Sequence, residues 1–261
     1  MSQPLPASAL PPHGLVTVDV HDGIADVHFG HPKGNSLPGA LLRSLADRIA
    51  QLGRDPRVRV IVLRTFGHGP FCAGASFDEL TAIADAAAGQ DFFLGFARVI
   101  LAMIRCPQFV VTAVQGKVAG GGVGIVAASD YAIALETASC KLSELAVGIG
   151  PFVVGPVIER KIGLAAFQGM AVDADWRDAR WAHTQGLYTQ LSATVTELDQ
   201  RVSGLARRLA ASNPAAMAQI KAVCWQGTER WDELLAERAE MSGSLVLSDF
   251  TRQAIAAFRA S

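Results

Sequence analysis

Several features are scarce in this 261-residue chain, and each scarcity excludes a class of function. Charge of one sign is missing: 23 Lys and Arg stand against 24 Asp and Glu, with no basic run. A surface that holds nucleic acid or an anionic membrane needs a basic patch, so neither is expected as the main partner. Cysteine is sparse. Cys72, Cys106, Cys140 and Cys224 are widely spaced and form no C-x-x-C pair, which argues against a zinc site and against a disulfide framework. They read as reduced, mostly buried side chains of a cytoplasmic protein. Residues 1–14, rich in Pro and Ala, lack the cationic start and apolar core of a secretory signal and are expected to be flexible. No stretch reaches the roughly 18 consecutive apolar residues of a membrane-spanning helix. His28, His31, His68 and His183 share no ligand spacing, so no metal is expected.

What is present is a large apolar fraction, 50% hydrophobic against 18% charged, enough to bury the core of one ordinary domain with an appendage. Residues 15–20 and 24–29 flank His21-Asp22-Gly23, the pattern of a β-hairpin closed by Asp-Gly. Apolar spacing predicts a helix over 41–52, and β-branched runs predict strands over 58–64, 109–114 and 130–134, with a short helix starting near Gly121. Alternation of this kind indicates an α/β core over 15–194 with a covered sheet. From 195 to 261 the pattern is helical only, with Asn213-Pro214 suited to start a helix, Gly227 to stop one, and amphipathic segments over 231–241 and 249–258. Trp176, Trp181, Trp225 and Trp231 read as core or interface anchors.

Two turns of small residues carry the chemical signal. They are Phe71-Cys72-Ala73-Gly74-Ala75-Ser76 and Val118-Ala119-Gly120-Gly121-Gly122-Val123-Gly124, each between a β-rich run and a helical one. Backbone N–H groups left bare at such a place hold a developing oxyanion without a charged side chain. The glycine triplet has a plainer reading as close backbone packing. A dinucleotide-binding loop fails on spacing, because G-x-G-x-x-G begun at Gly120 needs glycine where Ile125 stands, and no Gly-Lys-Ser or Gly-Lys-Thr occurs. In the first turn Ser76 and Glu79 have capping-box spacing, so Ser76 is expected to cap a helix at Phe77, with Glu79 bonding back and the Ala73 amide free. Glu144 follows the second turn and is the candidate proton-transfer group, its apolar neighbours Leu142, Leu145, Val147 and Ile149 raising its pKa. Spacing alone favours instead a surface or ion-paired residue near Lys141. Asp130 is expected to hold a strand start, and the stretch 82–89 with Asp91-Phe92-Phe93 reads either as a mobile cleft wall or as ordinary helix and loop.

Asn35-Ser36-Leu37, the two turns, Gln115-Gly116-Lys117, Ser129-Asp130 and Leu142-Ser143-Glu144 leading to Gly148-Ile149-Gly150-Pro151 resemble the crotonase (enoyl-CoA hydratase/isomerase) superfamily over most of the chain. The resemblance implies a ββα spiral with a C-terminal helical trimerisation subdomain, a homotrimer or dimer of trimers, and an acyl-CoA thioester as substrate with no separate cofactor. It implies an oxyanion hole at the amides of Ala73 and Gly121, with Glu144 as general acid and base. Lys33, Ala73, Gly74, Ala75, Gly120 and Gly121 are the implied CoA contacts, with Arg252 and Arg259 as further candidates for the phosphates. Two-acid hydratases of the family carry a glutamate at the position of Gly124. The one-acid arrangement is similar to the family's double-bond isomerases and to some methylglutaconyl-type hydratases, which leaves hydration and isomerisation both open. Asp78 and Glu79 are candidates for a second acid. A non-catalytic acyl-CoA-binding or assembly subunit on the same scaffold is the alternative, and the presence of Glu144 argues against it.

Overall fold

The computed structural model describes residues 9–260, with side chains through Ala257. The first eight residues of the segment expected to be flexible lie outside the described residues; further along it, Leu10 is buried and the Pro12 carbonyl stands 3.0 Å from His31 Nε2.

Six strands form the main sheet in the spatial order β1 (Leu15–His21), β2 (Ile24–Gly30), β4 (Val60–Thr65), β6 (Phe109–Val114), β8 (Tyr131–Leu135) and β11 (Gln190–Ser192). The hairpin β1–β2 is antiparallel, and its turn residues Asp22 and Gly23 both have positive φ, the geometry for which Asp-Gly is suited. Every other pairing in this sheet is parallel. Both faces are therefore covered, and successive residues of β4 divide between them. Ile61 and Leu63 pack with Leu45 and Ile49 of α1 (Gly39–Arg54) and Ile100 and Met103 of α3 (Ala86–Arg105). Val60 and Val62 pack with Leu198, Val202 and Ala206 of α8 (Val195–Ala210). The expected boundary at residue 194 is thus a change of pattern in the sequence, while in space α8 closes the second face of the same sheet.

Two small sheets sit at the edge of this framework. One pairs β3 (Ser36–Leu37) with β5 (Gly74–Ala75), and the other orders β10 (Arg177–Asp178), β9 (Ser139–Lys141) and β7 (Val118–Ala119). The remaining helices are α2 (Phe77–Ala82), α4 (Gly121–Ala127), α5 (Gly155–Ile162), α6 (Leu164–Asp173), α7 (Ala179–Thr184), α9 (Pro214–Cys224), α10 (Trp231–Leu245) and α11 (Asp249–Ala260). Helix α3 has 20 residues and a mean hydropathy of 1.4, long and apolar enough to cross a membrane, and here it puts Val99, Ile100, Met103 and Ile104 into the core.

Local signals explain the helix ends. Asn213 Oδ1 accepts from Ala215 N at 3.0 Å and begins α9, as the Asn-Pro pair predicts. Asp85 caps α3 through Ala88 N, so residues 86–89 are its first turn and Phe92 and Phe93 lie on an ordinary helix. Ser76 Oγ accepts from Glu79 N at 3.4 Å and caps α2. The reciprocal half of the expected capping box is absent: Glu79 Oε2 accepts instead from Gly39 N at 2.7 Å, at the start of α1. Asp130 does hold a strand start, through Val110 N at 2.7 Å, and also takes the Lys221 ammonium at 2.8 Å and the Trp225 indole at 3.2 Å.

Candidate active site

The two small-residue turns meet because Cys72 bridges to Val118, with Ala119 N donating to the Cys72 carbonyl at 2.8 Å. They wall a cavity of about 210 Å³ together with Glu144 and a set of apolar side chains.

In the first turn the Ala73 amide, expected to be free, donates to the Asn35 carbonyl at 3.2 Å and is not available to a ligand. The available amide is that of Ala75. Gly74, at φ +99°, reverses the peptide, and Ser76 N then donates to the Leu37 carbonyl at 2.9 Å. Successive N–H groups in a ladder point to opposite sides, so the Ala75 amide, between the two, is turned away from β3. Its carbonyl is held by Ser36 Oγ at 3.0 Å, which fixes the plane of the peptide that follows. In the second turn Gly120 N is tied to the Lys141 carbonyl at 2.9 Å. Gly121 is the first residue of α4, where an amide has no acceptor within the helix. Ala73, Gly74, Ala75, Gly120 and Gly121 all line the cavity.

Glu144 lines the same cavity, close beside Gly120. It precedes a single 3-10 turn, Leu145–Val147, closed by Gly148 at φ +82°. Ile149 N donates to the Glu144 carbonyl and Gly148 N to the Leu145 carbonyl, each at 3.0 Å, the paired bonds of a Schellman closure. Oε1 lies 3.2 Å from the point where a Cβ on Gly120 would stand, and Oε2 is buried with no hydrogen-bond partner. Burial pushes the Glu144 carboxyl up to about 7, against the opposite pull of the Glu144 and Ser143 amides. That is the protonation behaviour of a group able both to take and to give a proton near neutrality.

Phe77, Phe92, Phe93, Phe96, Phe152 and Val154 are among the apolar residues of the remaining wall, and Lys141 and Glu144 are its only ionisable residues among the described residues. The Lys141 ammonium lies 5.9 Å from the Trp176 ring centre, alongside that of Lys117 at 5.2 Å. Neither candidate for a second acid reaches the cavity. Asp78 pairs with Lys33 at the surface, and Glu79 is held by Gly39. Lys33 thereby stands beside the start of α2, just past Ala75. Arg252 is exposed on α11, and the side chain of Arg259 lies outside the described residues. A second opening of about 540 Å³ lies on the α8 side of the sheet, where Arg64 is neutralised by Asp199 at 2.6 Å and Asp26 at 3.5 Å.

The sequence pattern led to Glu144, to Gly121 and to Phe92 and Phe93 as a cleft wall, but not to Phe77, Phe96 or Phe152 beside them, nor to Ala75 as the outward amide. The signal for Ala75 was Gly74, since a residue at positive φ reorients the amide that follows it.

The family model for enoyl-CoA hydratase/isomerase matches residues 19–259. Over 132 residues the chain is 34% identical to a (7aS)-7a-methyl-1,5-dioxo-2,3,5,6,7,7a-hexahydro-1H-indene-carboxyl-CoA hydrolase of Rhodococcus jostii, a match covering 51% of each protein. It thus spans about half the length of that relative. It is 30% identical to the mitochondrial methylglutaconyl-CoA hydratase of Rattus norvegicus over 199 residues, 75% of this chain and 63% of that one. Among solved structures, an enoyl-CoA hydratase from Mycobacterium avium superimposes with a TM-score of 0.83 at 28% identity, covering 94% of this chain and 96% of that chain.

Proposed function

The chain belongs to the enoyl-CoA hydratase/isomerase family, and from that premise we propose that it acts on an acyl-CoA thioester by one-carboxylate proton transfer. Glu144 moves the proton, and the amides of Ala75 and Gly121 hold the thioester oxygen. One observation carries the reading: a carboxyl with one oxygen, Oε2, buried without a hydrogen-bond partner and titrating near pH 7 lines the same cavity as two turns with outward amides.

The chemistry follows from where charge develops. Removing a proton from the carbon next to a thioester, or adding water at the next carbon, places negative charge on the thioester oxygen. Two fixed amides stabilise that enolate at no cost of reorganisation, and losing one such donor costs about 3–4 kcal/mol of transition-state stabilisation. The Glu144 carboxylate takes the proton and returns it to another carbon, the net result being migration of the double bond. An apolar wall excludes the water that would screen these interactions. CoA is part of the substrate, Lys33 lies near one phosphate in this reading, and no separate cofactor enters. The closed position at Gly124 favours isomerisation, which needs a single carboxylate.

Likeness to the rat methylglutaconyl-CoA hydratase favours a second reading, hydration, in which Glu144 first activates water and then delivers the proton. Proton NMR of the purified protein with a short 2-enoyl-CoA and its 3-enoyl isomer in deuterated water separates the two. Interconversion with deuterium entering the alpha or gamma carbon supports isomerisation; a beta-hydroxyl product supports hydration. Binding of the thioester without turnover or exchange defeats both in favour of a binding subunit.

A further inference from the structure

The turn that presents Glu144 is closed on itself by its two Schellman bonds, and among the described residues it has one hydrogen bond to a distant element. The Gly148 carbonyl accepts from Thr251 Oγ1, at 2.9 Å, on the C-terminal helix α11. Thr251 is fully buried although its helix lies at the periphery. Its hydroxyl is oriented by Ser248 Oγ at 3.1 Å, and its own amide is held by the same Ser248 oxygen at 3.3 Å. The contact is close-fitted as well as polar. A Cβ on Gly148 would stand 2.6 Å from Thr251 Oγ1 and 2.7 Å from the Phe250 ring, so the glycine is required by space as well as by its positive φ. Below the hydrogen bond, Ile255 of α11 joins Ile149, Leu80 and Val246 in a small apolar cluster that backs the cavity wall.

From this arrangement we infer that Thr251 is a positioning residue for the reaction, its hydroxyl fixing the turn from which the Glu144 carboxylate reaches the cavity. The inference rests on the reading of Glu144 as the proton-transfer group. Thr251 does not line the cavity, so it acts through Gly148 rather than by touching substrate. A small displacement of a proton-transfer group is enough to slow its step, while the apolar wall and the two outward amides that bind the thioester stay in place.

The test uses full-length protein and steady-state kinetics on a 3-enoyl-CoA and a 2-enoyl-CoA. Thr251→Val keeps the shape and removes the hydroxyl, and Thr251→Ser keeps the hydroxyl. The expected result is a kcat lowered about tenfold or more in Thr251→Val with KM within about twofold of the parent, and recovery in Thr251→Ser. Unchanged kcat in Thr251→Val, or equal loss in Thr251→Ser, overturns the inference. Should Thr251→Val fail to fold, Thr251→Ala takes its place with the same two outcomes. Glu144→Gln, assayed alongside, separates the two levels of argument. If it retains turnover, the reading of Glu144 falls and the inference with it; if it is inactive while Thr251→Val matches the parent, only the inference falls.

Discussion

The Val154 side chain occupies the room that any residue larger than glycine would need at position 124: its Cγ1 lies 2.6 Å and its Cβ 2.8 Å from where a Cβ on Gly124 would stand. Ile100 Cδ1 closes the same space from another side, at 3.2 Å. The lack of a second acid is therefore built into the packing between α4 and the residues before α5, and a glutamate side chain could not be added there without moving Val154.

Gly124→Ala is accordingly expected to destabilise the fold by about 1–3 kcal/mol, the usual cost of overpacking a tight core. Val154→Ala in the same chain should recover part of that loss. Urea denaturation of the two single variants and the double variant measures the coupling, and simple additivity would show that Val154 is not the obstacle.

Glu144→Gln keeps the volume and removes the ability to accept a proton. Turnover of the enoyl thioester should fall by about 100- to 10,000-fold. In the parent protein kcat/KM should rise with pH through about 7, because the deprotonated Glu144 carboxylate begins the reaction. A pH-independent rate across that range would assign the proton transfer to another group.

The same carboxyl has a stability signature of definite sign. In the folded chain it titrates at about 7 and in the unfolded chain near its ordinary 4.5, so between these values the folded state holds a proton that the unfolded state has released. Stability contributed by the protonated group is full below about 4.5 and is lost as pH rises through about 7. Glu144→Gln should then exceed the parent in stability by about 3 kcal/mol at pH 8 and match it near pH 4. Equal stability of the two at pH 8 in chemical denaturation would refute the raised pKa.

Lys221 is 2% exposed and gives its three protons to Asp130 at 2.8 Å and to the Met103 and Gln108 carbonyls, each at 2.7 Å. Lys221→Met leaves Asp130 without its ion partner and the two carbonyls with only the weak Cys106 thiol as donor, and should cost about 3–5 kcal/mol. Thermal unfolding reads this directly. A melting temperature within a degree or so of the parent would mean that α9 is held by its apolar contacts instead.

Much of this was legible along the chain because the relevant interactions are local. The Asp22-Gly23 hairpin, the Ser76 and Asn213 caps and the strand Phe109–Val114 each follow from a few adjacent residues. Helix α6 carries no such signal. It buries only Met170 and exposes Leu164 and Val172, so no apolar stripe marks it. The Ala73 and Glu79 expectations failed for a common reason. Each polar group was assigned a local role, while the fold gave it a distant partner, Asn35 for one and Gly39 for the other.

By itself the sequence determined the α/β pattern, the two glycine-bearing turns, the single acid that follows them and the absence of a carboxylate at position 124. These depend on residue identity and on preferences that act within one turn of chain. Only the tertiary structure decided which amide of the first turn is free, that Val154 fills the space beside Gly124, and that Glu144 Oε2 is buried without a partner. Hydrogen-bond availability, free volume and desolvation are properties of groups far apart in the chain, and they come into being only when the elements pack.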